Sequence, residues 1–220
     1  MNIEACIFDL DGVIVDTAKY HFMAWKRLAD ELNIDFTKQD NERLKGVSRL
    51  HSLDILLELG GLKLGGLKFG EEVKHILAEK KNEWYLELIN EMDESQVLPG
   101  TKQLLEELKS NNIKIALGSA SKNAKTILEK VELLGHFDVI IDGNHVENAK
   151  PDPEVFILGA TSLGVDPCKC IVFEDAKAGV EAGKRAKMKV VGIGDEGQLA
   201  EADYNFNGLY EIDYNIIRNI

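Results

Sequence analysis

The chain has 220 residues, enough for one domain with an inserted subdomain or for two modest ones. Hydrophobic residues make up 45% and charged residues 29%, which argues against disorder, and no apolar run approaches the ~20 residues that span a bilayer. A net charge of −12 leaves no basic footprint for nucleic acid, and it repels anions at long range, so binding a phosphate ester would rest on a few local cations.

The opening residues, Met1 to Cys6, carry neither the basic stretch nor the apolar core of a signal peptide. The odd set of Cys6, Cys168 and Cys170 fits reduced thiols in a cytosol. Ala5-Cys6-Ile7-Phe8 is a short apolar run ending at Asp9, and it predicts a buried parallel strand. From Ala18 the pattern turns helical. Phe22, Trp25, Leu28, Ala29 and Leu32 recur at helical spacing and predict a helix over Ala18–Asn33. Further helices are predicted over Lys38–Leu44, Leu50–Leu59 and Glu71–Asn90. Between the last two, Gly60–Gly70 holds a tandem echo, GGLKL then GGLKF, and reads as a glycine-rich surface loop.

Beyond Leu98-Pro99-Gly100, strands and helices alternate. Helices are predicted over Thr101–Ser110, Lys122–Glu132, Pro153–Leu163 and Ala176–Ala186. They separate strands over Ile113–Leu117, Val139–Ile141, Ile171–Phe173 and Lys189–Gly192. This order predicts an α/β fold, a doubly wound parallel-sheet (Rossmann-like) core interrupted after its first strand by an all-helical insert, which the resemblance described below identifies as a cap. Residues 1–15 and 95–220 would form the core and residues 16–94 the insert.

Asp9 and Asp11 sit two apart where the first strand ends, so extended backbone points both carboxylates into one crevice. A divalent cation or a shared proton would relieve their repulsion. Glu174 and Asp175 stand at the end of another predicted strand and could complete a site for a hard cation, although Asp175 could also cap the helix that follows. Ser119-Ala120-Ser121-Lys122-Asn123 follows a third strand, where hydroxyls and a helix start could receive a phosphate. Lys150 lies in a loop stiffened by Pro151 and Pro153. Two decoys are set aside. Cys168-Lys169-Cys170 has no companion pair for a metal, and Gly192-Ile193-Gly194-Asp195-Glu196-Gly197 leaves too little chain for a dinucleotide-binding unit.

Taken in order, the DxDGV turn, the hydroxyl after a strand, the lysine and the acidic pair resemble the haloacid dehalogenase superfamily over nearly the whole chain. The resemblance implies that Asp9 attacks phosphorus and that Asp11 is the general acid/base. It also implies that Ser119 and Lys150 hold the transferring phosphoryl group, and that Asp9, the Asp11 carbonyl, Glu174 and Asp175 bind Mg²⁺. In the insert, Asp16-Thr17-Ala18-Lys19-Tyr20-His21-Phe22-Met23-Ala24-Trp25, Leu44-Lys45-Gly46-Val47-Ser48-Arg49 and Lys80-Lys81-Asn82 resemble the caps of the family's sugar-phosphate mutases. That likeness implies interconversion of β-glucose 1-phosphate and β-glucose 6-phosphate through an aspartyl-phosphate and a bisphosphate. Arg49, Ser121, Lys122 and Asn123 would hold the phosphate not being transferred, and His21 and Lys81 would position Asp11. Thr17, Trp25, Gly46, Val47 and Ser52 would line the sugar site or hinge, with Ser48 and Ala120 inside the matched motifs. The expected partners are small sugar phosphates, with no nucleic acid and no membrane, for a cytoplasmic monomer. A sugar-phosphate phosphatase on the same core is the rival reading. A silent phosphometabolite-binding module is disfavoured by the presence of both Asp9 and Asp11. The chain departs from the family pattern at Gly60–Gly70 and after Gly194.

Overall fold

The first strand, β1 (Ala5–Phe8), is buried at every residue because it lies inside a sheet. It pairs in parallel with β2 (Lys114–Gly118) on one side and β4 (Cys170–Glu174) on the other. β3 (Val139–Ile141) flanks β2, while β5 (Lys189–Ile193) and β6 (Tyr204–Phe206) extend the far edge. The order is β3-β2-β1-β4-β5-β6, all parallel, so the strand order reverses between β1 and β4. Ligands in such sheets bind outside the carboxyl ends of the strands at that reversal. The computed structural model describes residues 3–61 and 70–220. Most of the glycine-rich echo expected to form a loop lies outside the described residues.

Period-two alternation sorts the strand residues onto two faces. Cys6, Phe8, Ile115, Leu117, Ile171 and Phe173 join one apolar cluster, in which the Phe8 and Phe173 rings stack with centroids 4.4 Å apart. Ala5, Ile7, Ala116, Cys170 and Val172 join the other, against Val155, Phe156 and Ala160 of α7 (Glu154–Leu163) and Val180 of α8 (Lys177–Arg185). Both faces are covered, as the near-continuous apolar runs of the strands require.

Among the described residues, α1 (Ala18–Glu31), α2 (Lys38–Glu42), α3 (Arg49–Leu59) and α4 (Glu71–Ile89) stand between β1 and α5 (Thr101–Ser110). α1 packs on α4 and buries Trp25, Leu28, Tyr85 and Ile89. The chain entering this insert runs beside the chain leaving it. The Asp16 N–H donates to the Gln96 carbonyl and the Leu98 N–H to the Ile14 carbonyl, each at 2.9 Å.

The structure corrects several expectations. β6 and α9 (Tyr214–Asn219) were not predicted, because Tyr-Asn-Phe is too short and polar to signal a strand away from its partner. α6 spans Ala124–Lys130 and starts after the Ser121–Asn123 turn, where a helix was expected from Lys122. α8 starts at Lys177 with Ala176 as its cap residue and has no side-chain cap, so Asp175 is not a helix cap. β5 is followed directly by β6, with no helix between them, which disposes of the dinucleotide-like glycine pattern.

Candidate active site

Each acid of the core comes from a strand end. Asp9 follows β1, its N–H donating to the Phe173 carbonyl, and its side chain is 6% exposed. Glu174 is the last residue of β4 and fully buried, and Asp175 follows it. Gly12 permits the close approach of the two turns. It has φ +82°, and a Cβ there would overlap the Asp175 carboxylate. Asp9, Glu174 and Asp175 each offer a carboxylate oxygen, all within 4.8 Å of one another. Between them, Lys150 Nζ donates to Asp9 Oδ1 at 2.6 Å and to Glu174 Oε1.

One ammonium does not balance three clustered carboxylates, two of them buried. Burial pushes the Asp9 carboxyl up to about 7; Lys150 opposes this, and the nearby charges of Glu174 and Asp11 add to it. Burial and then Glu174 and Asp9 hold Asp175 well above the usual carboxylate range. Lys150 is itself held above its ordinary value, because Asp9 and Glu174 outweigh the cost of burying it. An all-oxygen, over-negative donor set of this kind fits a hard divalent cation, whose charge would remove the mutual repulsion.

Asp11 is not one of the three. Its carboxylate turns to the insert, accepting from the Thr17 hydroxyl and lying 3.7 Å from His21 Nε2. Burial raises the Asp11 carboxyl, but His21 and Thr17 more than offset it and bring it below the usual value. Lys81 Nζ lies 3.2 Å from His21 Nδ1. With an ammonium donating to Nδ1, the imidazole carries its own proton on Nε2, the atom that faces Asp11. Burial and Lys81 push His21 toward this neutral form. Lys81 is 3% exposed, sits over the Trp25 and Tyr85 rings, and is lowered to about 7 by burial and then by Arg49.

The phosphate-binding candidates gather at the end of β2. Ser119 is fully buried, and its Oγ accepts from the Ser121 N–H at 3.1 Å. Ser121 Oγ accepts from the Asn123 N–H at 3.2 Å. Asn123 does not cap α6 with its side chain; Nδ2 instead reaches across to Asn82 Oδ1 on α4 at 3.0 Å. Glu154 accepts from the backbone of Glu147 and Asn148, which anchors the loop leading to Lys150.

A cavity of about 400 Å³ lies between core and insert. Every site residue expected from the sequence lies on its wall except Glu174, which sits behind the wall, fully buried. The cavity thus brings Arg49, Ser48, Gly46, Val47, Ser52 and Trp25 of the insert opposite Asp9, Ser119, Ala120, Lys122 and Lys150 of the core. Sequence reasoning passed over Asn41, Lys45, Glu79 and Tyr85. Lys45 Nζ approaches Asp175 Oδ2 at 3.7 Å, and Glu79 Oε1 accepts from Arg49 Nη1 at 2.6 Å. The one available signal was the spacing of Ala78, Lys81, Asn82 and Tyr85 along one face of α4, which reads in isolation as an ordinary helix surface.

The family model of haloacid dehalogenase-like hydrolases matches residues 3–187. A β-phosphoglucomutase of Bacillus subtilis is 43% identical over 201 residues, which is 91% of this chain and 88% of that protein. A phosphorylated carbohydrates phosphatase of Thermotoga maritima is 37% identical over 189 residues, covering 85% of this chain and 83% of its own. The crystal structure of a Clostridium difficile β-phosphoglucomutase superposes with a TM-score of 0.93 at 46% identity, over 99% of this chain and 96% of the other.

Proposed function

The chain belongs to the haloacid dehalogenase-like hydrolase family, and within it we propose that this enzyme is a Mg²⁺-dependent mutase interconverting β-glucose 1-phosphate and β-glucose 6-phosphate. The observation that carries the reading is one cavity lined by two sets of phosphate-binding groups. Asp9, Ser119 and Lys150 lie on its core wall, and Arg49 lies on the insert wall with the Ser121–Asn123 turn on the same cavity. A bisphosphate needs two such sets, whereas a phosphatase needs one.

In this reading Asp9 Oδ attacks phosphorus of the bisphosphate. An Asp9–phosphoryl bond forms, the bond from phosphorus to the sugar oxygen breaks, and Asp11 gives that oxygen its proton. In the return step Asp11 takes the proton from the hydroxyl at the other end of the next sugar phosphate. That oxygen then attacks the phosphoryl group and frees Asp9. Thr17 and the His21–Lys81 pair hold Asp11 toward the insert, where a reacting hydroxyl would lie. Ser119 and Lys150 orient the transferring group, and Arg49 with Ser121, Lys122 and Asn123 holds the other phosphate. Mg²⁺ held by Asp9, Asp175 and the Asp11 carbonyl, with Glu174 assisting, would neutralise charge on the transferring group.

The proposal extends to a cytoplasmic monomer, with residues 16–94 as a cap closing on a core of 1–15 and 95–220. No described helix is long and apolar enough to cross a membrane. The hydrolytic alternative has its own support in the similarity to the Thermotoga phosphatase. Supplying β-glucose 1-phosphate with a trace of bisphosphate separates the two, since a mutase forms glucose 6-phosphate and a phosphatase releases inorganic phosphate. The test of the second set is Arg49→Ala. Turnover of β-glucose 1-phosphate should fall about tenfold to a hundredfold, the worth of a charge-assisted bond. Phosphorylation of Asp9 by acetyl phosphate, which has no distal phosphate, should fall far less. Equal losses in the two assays would reduce Arg49 to a general structural role.

A further inference from the structure

The insert wall of the cavity is cationic, with Lys45, Arg49 and Lys81 beside His21, and among the described insert residues on that wall Glu79 is the one acid. It is bound where it opposes the cations most directly, with Arg49 Nη1 donating to Glu79 Oε1 at 2.6 Å. The pair straddles the rim. The Arg49 side chain is 18% exposed, whereas the Glu79 side chain is 65% exposed.

This asymmetry matters for exchange. Burial disfavours the charge on Arg49, Glu79 offsets part of that cost, and Arg49 in turn disfavours the charge on Lys81. Without a counter-ion, two cations would face one another across a partly dry wall. A carboxylate presents its two oxygens to a guanidinium much as a phosphate does. Glu79 remains largely hydrated while paired, so releasing it to water costs little. A dianionic phosphate also meets Ser121, Lys122 and Asn123 on the same cavity, which Glu79 cannot do from the rim.

We propose that Glu79 is the resident counter-ion of Arg49, displaced by the non-transferred phosphate of the ligand, so that it sets how tightly that end of the cavity takes anions. This rests on the reading of Arg49 as the distal-phosphate anchor. Singly charged anions would then compete poorly with the tethered carboxylate, and a sugar phosphate would win by its higher charge and its further contacts.

The experiment measures KM for β-glucose 1-phosphate and the inhibition constant for inorganic phosphate in wild type, Glu79→Gln, Arg49→Ala and the double variant. Glu79→Gln keeps the shape and removes the charge, and it should lower both constants about two- to fivefold, the range set by an exposed pair. The gain should appear in KM more than in kcat, and should vanish in the Arg49→Ala background. If Arg49→Ala raises both constants while Glu79→Gln leaves them at or above wild type, the counter-ion inference is overturned and the anchor reading stands. The same holds if Glu79→Gln acts equally with and without Arg49, which would make it a diffuse charge effect. If Arg49→Ala changes neither constant, the anchor reading fails and takes the inference with it.

Discussion

The two walls of the cavity carry opposite charge and are built by different means. On the core wall, Asp9 and Asp175 stand with Glu174 behind them, and Lys150 sits between. The acids come from the ends of two adjacent parallel strands, whose register sets their spacing, and Lys150 comes from the loop between β3 and α7. On the insert wall, Arg49, Lys81, Lys45 and His21 come from helices and their connections, joined to the core by two paired chain segments. Each wall alone concentrates like charge at a cost. A divalent metal would relieve one and, in the proposed function, a phosphate would relieve the other. A local cationic wall would let a chain of net charge −12 offer an anion site.

If the acidic wall carries the chemistry, Asp9→Asn should have the largest effect. Turnover should drop below ~10⁻⁴ of wild type, since loss of a nucleophile can cost ~10⁶-fold. Substantial turnover by the purified variant in a coupled steady-state assay would remove Asp9 from that role.

Asp11 belongs to the core but is held by the insert, so it tests the seam between the walls. Asp11→Asn should lower kcat ~10²–10⁴-fold while calorimetry still detects bisphosphate binding. Activity within about tenfold of wild type, only ~1.4 kcal/mol of barrier, would contradict a general acid/base assignment.

Rigidity of the acidic wall can be probed from behind. A Cβ at Gly179 in α8 would overlap the Glu174 carboxylate. Gly179→Ala should therefore destabilise the fold by ~1–3 kcal/mol and raise the Mg²⁺ concentration for half-maximal activity. Unchanged melting and unchanged metal dependence together would mean that Glu174 can move freely.

The smallest effect concerns the cationic wall. Lys81 is depressed to about 7 in the folded chain, so between pH 7 and about 10.4, its ordinary value, unfolding takes up a proton there. Stability owed to this group must therefore rise with pH across that window, and the burial penalty is fully present below it. The difference in melting temperature, wild type minus Lys81→Met, should climb from pH 7 to pH 9. A flat difference would mean that Lys81 is charged and well solvated in the fold.

Local pattern was enough for β1, the DxDG turn and the alternation of the core, because an apolar run ending in acids needs no distant partner to be recognised. It was enough for the existence of α1 through α4, but it set the start of α6 two residues early. There the Ser119 and Ser121 hydroxyls accept from the Ser121 and Asn123 N–H groups and hold a turn ahead of the helix.

By itself, then, the sequence determined which strand ends carry acids, hydroxyls and the lysine, since backbone geometry alone directs those side chains to one edge of a sheet. Only the tertiary structure decided which charges meet. Arg49 and Glu79 are 30 residues apart, Asn82 and Asn123 are 41 apart, and His21 and Lys81 are 60 apart. No period in the chain encodes these pairings. Helix packing in the insert and its seating on the core bring them together, and their energies depend on how much water the closed wall leaves around each charge.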